Sequence, residues 1–293
     1  MHEEYRKCML CQRKCGVDRE IGELGFCGMT KDTVIARAAL HKWEEPSISG
    51  TNGSGTIFFV GCSLGCTYCQ NSKISRGQGG WTVTDGELAD TMLELEKQGA
   101  HNVNLVTPTH FTPSIRSAIR IAKEKGLTVP VVYNTGSYDT VENLKSLKGL
   151  VDIYLPDLKY YLPKTAKAYS LAEDYVTTAR SAIEEMFSQT GRLIIGDDGI
   201  MRRGTVVRVL LLPGHLAEAK LSVKYLYSTY GDNVYLSLMS QYTPKASLPS
   251  PLNRRVTSSE YLELVDYAVK LGVKNAYIQE SESASESFIP EFK

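Results

Sequence analysis

The chain has 293 residues, of which 42% are hydrophobic and 23% charged, a composition that suits one large α/β domain with a small attachment. Thirty-three basic residues balance 33 acidic ones, which excludes the broad positive field of a nucleic-acid-binding protein. The sequence contains no long apolar run of the kind that spans a membrane and no apolar segment behind its charged N-terminus. We therefore expect a cytoplasmic protein with neither nucleic acid nor membrane as a partner.

All seven cysteines lie in the first quarter of the chain. They are Cys8, Cys11, Cys15, Cys27, Cys62, Cys66 and Cys69. An odd number of closely spaced cysteines, without a secretion signal, is typical of metal or cluster ligation and not of a disulfide framework. Redox-sensing thiols are the weaker alternative.

The first four cysteines form a complete set of thiolate ligands. Cys8, Cys11, Cys15 and Cys27 lie in a segment with too few apolar residues for a core of its own, so we expect a metal to hold it together. Zinc and a four-iron four-sulfur cluster both accept four thiolates, and the spacing does not separate them. We favour the cluster, because it could relay electrons to a second cluster further along the chain.

Beyond this cysteine-rich segment, apolar β-rich runs alternate with helical patterns, which indicates a parallel sheet built from βαβ units. The predicted strands are 56–60, 103–107, 129–133, 151–155, 206–212, 234–238 and 275–279. Units of this number and length suit a closed or partly open barrel with its chemistry on the loops that follow the strands.

Two helices have clear boundary signals in the sequence. Thr84 and Glu87 form a capping box ahead of an apolar stripe that stops at Gly99. The second helix begins at Thr112, with Pro113 in its first turn. Both helices fall between predicted strands, as a βαβ arrangement requires.

The later part of the chain is less regular. An amphipathic segment at 175–186 precedes Gly-Asp-Asp-Gly at 196–199, which indicates a turn between two short strands. Prolines at 244, 249 and 251 predict a loop at 243–257 that crosses the barrel mouth. We divide the chain into a cysteine-rich extension, a barrel core and a C-terminal loop, helix and strand, at 1–50, 51–242 and 243–293.

The last three cysteines come directly after the first predicted strand. Gly61 and Gly65 allow backbone angles closed to other residues, so a short loop can place Cys62, Cys66 and Cys69 around one face of a small cluster. Three thiolates leave a fourth iron free to take an exogenous chelator. The alternatives are a zinc knuckle or a chance spacing.

The spacing CxxxCxxC, with Tyr68 before the last cysteine, resembles the signature of the radical S-adenosylmethionine (SAM) superfamily. The resemblance covers nearly the whole chain and is greatest to glycyl-radical-enzyme activating proteins, especially the branch similar to pyruvate formate-lyase activating enzyme, which also has cysteines ahead of the motif. It implies a partial or closed parallel (β/α) barrel with a small N-terminal cysteine-rich extension. It also implies a [4Fe-4S] cluster on the three cysteines and SAM on the open iron.

The resemblance assigns further cofactor contacts to the motif loop and to strand ends. They are Tyr68, Asn71, Thr107, Thr109, Asn134, Asp157, Lys159, Arg208 and His215. Thr107 and Thr109 stand where activating enzymes carry a glycine-rich stretch, so the sequence departs from the family pattern there. Asp157 and Lys159 match an Asp-x-Lys element, and the alternative for them is a surface salt bridge.

Arg208 lies inside an apolar strand and therefore needs a partner, which we expect to be the carboxylate of the cofactor, unless the side chain faces outward between helices. His215 follows a Pro-Gly turn that resembles the one approaching the adenine in the family. Gln241 or Tyr242, which close the sixth predicted strand, are expected at the mouth near the substrate.

The function implied by the resemblance is that of an oxidoreductase that cleaves SAM reductively to a 5′-deoxyadenosyl radical. The radical would remove hydrogen from a backbone glycine of a glycyl radical enzyme, with an electron donor such as flavodoxin or ferredoxin as the other partner. One alternative keeps the radical and gives it a small molecule or a peptide to modify. The alternative from another class is a non-catalytic iron-sulfur or zinc protein.

Overall fold

The computed structural model describes residues 2–245, 247–279 and 292, and a single sheet of ten strands runs through it. The strands are β1 (Thr33–His41), β2 (Ser54–Phe59), β3 (Trp81–Val83), β4 (Val103–Val106), β5 (Val131–Thr135), β6 (Ile153–Pro156), β7 (Ile194–Ile195), β8 (Met201–Leu210), β9 (Tyr235–Met239) and β10 (Ala276–Ile278). The helices are α1 (Pro46–Ser49), α2 (Ser72–Ser75), α3 (Asp85–Lys97), α4 (Thr112–Glu124), α5 (Val141–Lys145), α6 (Pro163–Ser170), α7 (Tyr175–Thr190), α8 (Leu216–Tyr230) and α9 (Ser258–Leu271).

The sheet is mostly parallel. Strands β2, β4, β5, β6, β8, β9 and β10 are parallel neighbours in that order, while β1 and β3 extend the β2 edge in the antiparallel sense. Within the described residues β3 and β10 end the sheet and do not pair with each other, so the barrel is open. The α/β fold and the partial (β/α) barrel are therefore confirmed.

Each of the seven predicted strands corresponds to one of the parallel strands, with boundaries moved by a few residues. Strands β1 and β3 were missed. Strand β1 begins with Thr-Val-Ile but continues with three alanines, which have little intrinsic preference for strands, and it becomes a strand through its pairing with β2 from Ile35–Phe59 to His41–Ser54. Residues 33–41, which we had assigned to the extension, thus lie in the main sheet.

The local helix signals are confirmed. Glu87 N donates to Thr84 Oγ1 at 3.2 Å, and Thr84 N donates to Glu87 Oε2 at 2.8 Å, which completes the capping box of α3. Helix α4 begins at Thr112 with proline in its first turn. Strands β7 and β8 form a hairpin around the 196–199 turn, as predicted. In the part of the chain that the structure describes, no helix combines the length and apolar character needed to span a membrane.

The N-terminal segment is bonded to the barrel. Cys11 forms an isolated antiparallel bridge with Asp139, and Gln12 N donates to the Tyr138 carbonyl at 3.2 Å. Arg19 is completely buried and donates from Nη1 to the His110 carbonyl at 2.5 Å. These contacts hold the first cysteines against the loops that follow β4 and β5.

His110 lies buried behind the loop that follows β2. Its Nε2 is 2.7 Å from the Val60 carbonyl, which can only accept, so Nε2 carries the proton. Its Nδ1 has no hydrogen-bond partner among the described residues. Burial, together with the charge of Arg19, lowers the pKa of His110 to about 3, so the folded protein holds the imidazole neutral.

This burial predicts a loss of stability in mild acid. Below the ordinary histidine pKa of about 6.5, His110 is protonated in the unfolded chain but not in the folded chain. The free energy of unfolding should therefore fall by about 1.4 kcal/mol per pH unit, or by about 2 kcal/mol at pH 5. The His110→Gln variant retains an N–H donor for the Val60 carbonyl but has no titrating group, so its stability should not show this part of the pH dependence. Urea unfolding of both proteins at pH 7 and pH 5 measures the difference, and parallel pH dependences would contradict the prediction.

Candidate active site

The loop that follows β2 turns sharply at Gly61, whose φ is +86°. A Cβ at this position would clash with the Met29 side chain. It would also lie 2.8 Å from the Cys27 carbonyl oxygen and 3.0 Å from His110 Nε2. Gly61 N donates to the Ile74 carbonyl at 2.9 Å. Only glycine satisfies both the left-handed backbone and the close approach of the N-terminal segment.

Gly61→Ala is accordingly expected to lower the free energy of unfolding by about 3 kcal/mol, since backbone strain and overpacking both act there. Gly149→Ala is the matched control, because Gly149 has a φ of +79° and open space where the Cβ would be. Its cost should be limited to the strain, about 1 kcal/mol. Equal losses in urea unfolding would show that the contact with residues 27–29 does not matter.

The three cysteines of this loop come together at the wall of a cavity of about 250 Å³. Ser170 Oγ donates to Cys66 Sγ at 3.1 Å, and Leu64 N donates to Cys62 Sγ at 3.4 Å. Burial, followed by the neighbouring thiols of Cys66 and Cys69, raises the pKa of Cys62 to about 12. The thiols are therefore close enough to interact electrostatically, as the sequence spacing predicted.

Eight of the nine predicted cofactor contacts also line this cavity. They are Tyr68, Asn71, Thr107, Thr109, Asn134, Asp157, Lys159 and Arg208. The Tyr68 hydroxyl and Asn71 Oδ1 are buried at this cavity and have no hydrogen-bond partner within 3.5 Å among the residues described, which makes both candidates for a ligand contact. Gln241 and Tyr242 lie on the same cavity, as expected.

Thr107 adopts a left-handed backbone, with φ of +60°. This conformation is rare for a β-branched residue and common for glycine, and such strain clusters at functional sites. Thr107 N donates to the Asn134 carbonyl at 2.8 Å, which joins the ends of β4 and β5 at the cavity. Thr107 replaces the glycine-rich stretch of activating enzymes but still adopts a backbone conformation that is typical of glycine.

Asp157 and Lys159 form an ion pair at the cavity wall, with Nζ and Oδ2 2.7 Å apart. Their side chains are only 17% and 18% exposed, which separates this pair from an ordinary surface salt bridge. Burial acts to lower the pKa of Lys159, but the Asp157 carboxylate and the Cys66 thiol outweigh it and raise the pKa above its usual value. Lys159 thus brings a positive charge to the cysteines.

Arg208 pairs with acidic residues of the chain itself. Its guanidinium donates to Glu45 at 2.7 and 2.8 Å and to Glu44, and its Nη1 lies 3.4 Å from Asn134 Oδ1. Burial alone would raise the pKa of Glu45, but the guanidinium holds it below the ordinary range. The buried arginine is therefore neutralised by carboxylates from the segment before α1, which the sequence did not indicate.

His215 does not line this cavity, unlike the other predicted contacts, so its contact with the cofactor stays a prediction. Its Nε2 is 2.9 Å from the Tyr169 hydroxyl, and its Nδ1 is 3.6 Å from Glu218 Oε2. Strand β8 ends at Leu210, and the Pro-Gly turn carries His215 to the start of α8.

Three further residues near the cysteines were missed. His41 and Trp43 line the cavity from the end of β1, and Trp43 is 64% exposed. Lys245 Nζ donates to the Cys69 carbonyl at 2.7 Å, which brings the predicted 243–257 loop to the site. No sequence signal marked His41 or Trp43, because their position depends on β1 joining the sheet.

A sequence profile of the radical SAM superfamily matches residues 56–203, about half of the chain, including the whole cysteine motif. The chain belongs to this superfamily. The radical SAM chain is also 29% identical, over 281 residues, to an uncharacterized protein of Methanocaldococcus jannaschii, and the match covers 93% of this chain and 77% of that protein.

The fold is similar to that of Streptococcus suis SuiB in its crystal structure with the precursor peptide SuiA. The TM-score is 0.53 with 11% sequence identity, and the match covers 76% of this chain. The radical SAM chain spans about half of SuiB, 47% of its length, so the similarity establishes a shared fold.

Membership of the superfamily makes the protein an enzyme that uses a [4Fe-4S] cluster and cleaves SAM. The donor set fits that cluster. No three Cys, His, Asp or Glu side chains within the described ranges converge on a point that one ion could occupy. A four-iron cluster does not require convergence, because each thiolate binds a different iron, and three thiolates leave one iron without a protein ligand.

The N-terminal cysteines form a second group of thiols. Cys8, Cys11 and Cys27 are buried, whereas Cys15 is exposed. Burial, reinforced by the other thiols of this group, raises the pKa of Cys11 to about 12. Phe26 N donates to Cys15 Sγ at 3.4 Å, which brings the residue before Cys27 next to Cys15.

Proposed function

We propose that this radical SAM enzyme activates a partner enzyme by removing a hydrogen atom from a glycine residue held in an extended loop of that partner. The observation that carries the proposal is the size of the cavity. At about 250 Å³ it is smaller than the usual ligand pocket, which measures about 300 to 1,000 Å³. The cluster and SAM would share this space, because Cys62, Cys66 and Cys69 line the cavity together with the proposed SAM contacts. A substrate presented from outside by a protein loop therefore suits it better than a second small molecule.

The residues of the chain would divide the work as follows. We assign Cys62, Cys66 and Cys69 to the cluster, which together with SAM supplies a 5′-deoxyadenosyl radical. The unpartnered Tyr68 hydroxyl and Asn71 Oδ1 would bind polar groups of SAM. Thr107, Thr109, Asn134 and the Asp157–Lys159 pair would orient SAM from the strand ends.

Aromatic rings beside the cysteines would keep water out of the site. Tyr68 packs edge-to-face on Tyr160 and Tyr169, with ring centroids 6.3 and 6.2 Å apart. The Tyr242 ring also packs against the Tyr68 ring, with centroids 6.0 Å apart. Exclusion of water protects a reactive intermediate from side reactions.

We also propose that Cys8, Cys11, Cys15 and Cys27 bind a second [4Fe-4S] cluster. It would accept one electron from a carrier such as flavodoxin or ferredoxin and pass that electron to the first cluster. Anaerobically prepared protein should then contain about eight irons per chain and no zinc. About four irons with about one zinc would contradict the relay.

The partner is tested with candidate glycyl radical enzymes added one at a time under anaerobic conditions. The expected result is formation of 5′-deoxyadenosine together with a glycyl radical signal, in electron paramagnetic resonance, on the added enzyme. A partner whose target glycine is replaced by alanine is the matched control. The glycyl radical assignment would be overturned if the hydrogen came from a peptide or a small molecule and from none of the candidate enzymes.

A further inference from the structure

Arg13 connects the two groups of cysteines. It stands between Cys11 and Cys15, yet its guanidinium reaches the loop that carries Cys62 and Cys66. Nε donates to the Ser63 carbonyl at 3.0 Å, and Nη2 donates to the Leu64 carbonyl at 3.1 Å. One side chain of the N-terminal segment therefore holds two successive carbonyls within the cysteine motif.

The same guanidinium binds a third element of the site. Nη2 donates to the Ser170 carbonyl at 2.7 Å, and Nη1 donates to the Leu171 carbonyl at 2.6 Å. Ser170 in turn donates from Oγ to Cys66 Sγ. Arg13 is thus linked to the Cys66 thiol through the backbone of the motif loop and also through Ser170.

Arg13 is held from the far end of the N-terminal segment as well. Its guanidinium carbon lies 3.7 Å from the centroid of the Phe26 ring, next to Cys27. The Phe26 ring also lies against Gly65, where a Cβ would be 3.0 Å away. The position of Arg13 therefore depends on both parts of the segment that bear the four N-terminal cysteines.

We infer that Arg13 is a positioning residue through which metal bound at Cys8, Cys11, Cys15 and Cys27 sets the conformation of the loop carrying Cys62 and Cys66. The inference rests on the second cluster proposed above, because among the described residues no three possible ligands converge on a point that a single ion could occupy. Buried apolar side chains of the segment, Tyr5, Cys8 and Leu10, form only a small cluster, so bound metal would supply most of the internal support of the four-cysteine region. Loss of the metal would withdraw the donor from three partly buried carbonyls and one exposed carbonyl, and would release the motif loop.

Amide hydrogen exchange at residues 61–66 tests this inference in the anaerobically prepared full chain. The proteins to compare are the parent, Arg13→Gln, Cys15→Ser/Cys27→Ser and the variant with all three changes. Lys14→Gln is the matched control, because Lys14 is the exposed neighbouring basic residue and its loss removes the same charge. Metal analysis of each sample records which centres are filled.

We expect exchange at 61–66 to become at least about tenfold faster in Arg13→Gln, although its N-terminal metal is retained, and to stay unchanged in Lys14→Gln. The two cysteine changes should have a similar effect in the parent and should add nothing further in the Arg13→Gln background. The signal of the reduced Cys62–Cys69 cluster in electron paramagnetic resonance should shift in the same variants. An unchanged loop in Arg13→Gln, or fully additive effects, would overturn the inference.

This readout is independent of the proposed reaction. Protein that fails to cleave SAM but shows the exchange pattern would refute the function and support the coupling. Protein that generates a glycyl radical on a partner enzyme but has an unresponsive loop would support the function and refute the coupling. Absence of any metal from the N-terminal cysteines of the parent would also refute the coupling.

Discussion

Cys66→Ala should abolish reductive cleavage of SAM while the barrel stays folded. Cys66 lies on a loop after β2 and its contribution to packing is that of one small buried side chain, so its removal should cost only about 1 kcal/mol of stability. Loss of one of three thiolates, in contrast, removes an iron ligand that no other cysteine of the motif can replace. Release of 5′-deoxyadenosine and methionine under reducing anaerobic conditions measures the activity, and circular dichroism measures the fold.

Ser170→Ala is the control for this variant. It deletes the hydroxyl that donates to Cys66 Sγ but leaves all three thiols in place, so cleavage should be reduced and not lost. Unimpaired cleavage by Cys66→Ala would refute the ligand assignment. Unfolding of Cys66→Ala would instead indicate a structural metal.

The second large effect concerns stability. Arg208→Met should lower the free energy of unfolding by about 3–5 kcal/mol, because it leaves two carboxylates without their partner in a buried site. The side chains of Glu44 and Glu45 are only 7% and 5% exposed, so water cannot replace the guanidinium. Urea unfolding of the metal-loaded proteins provides the comparison.

Neutralising the two carboxylates should restore most of this loss. Glu44→Gln/Glu45→Gln/Arg208→Met removes the uncompensated charge, so its stability should return close to that of the parent. If Arg208→Met instead weakens SAM binding and leaves stability unchanged, the guanidinium acts on the cofactor, as the sequence led us to expect, and not on Glu44 and Glu45.

The cysteine motif was predictable because its information is local. The three thiols lie within eight residues, with Gly61 before the first cysteine and Gly65 before the second. Such a loop can surround a cluster wherever it lies in the fold. The capping box of α3 was readable for the same reason, since both partners lie within one turn. Most of the seven parallel strands are largely buried and therefore carry apolar runs that the sequence shows, as in β2, β4, β5 and β6.

Contacts between distant segments were decided by the tertiary structure alone. The pairing of Arg208 with Glu45 joins residues 163 positions apart, and β1 becomes part of the sheet only by pairing with β2. His215 could not be placed from its motif, because the turn between β8 and α8 decides whether its side chain lines the cavity. The sequence by itself determined the chemistry that neighbouring residues can perform. Only the tertiary structure decided which charged side chains pair and that Arg13 reaches the motif loop, because both depend on how distant segments of the chain pack together.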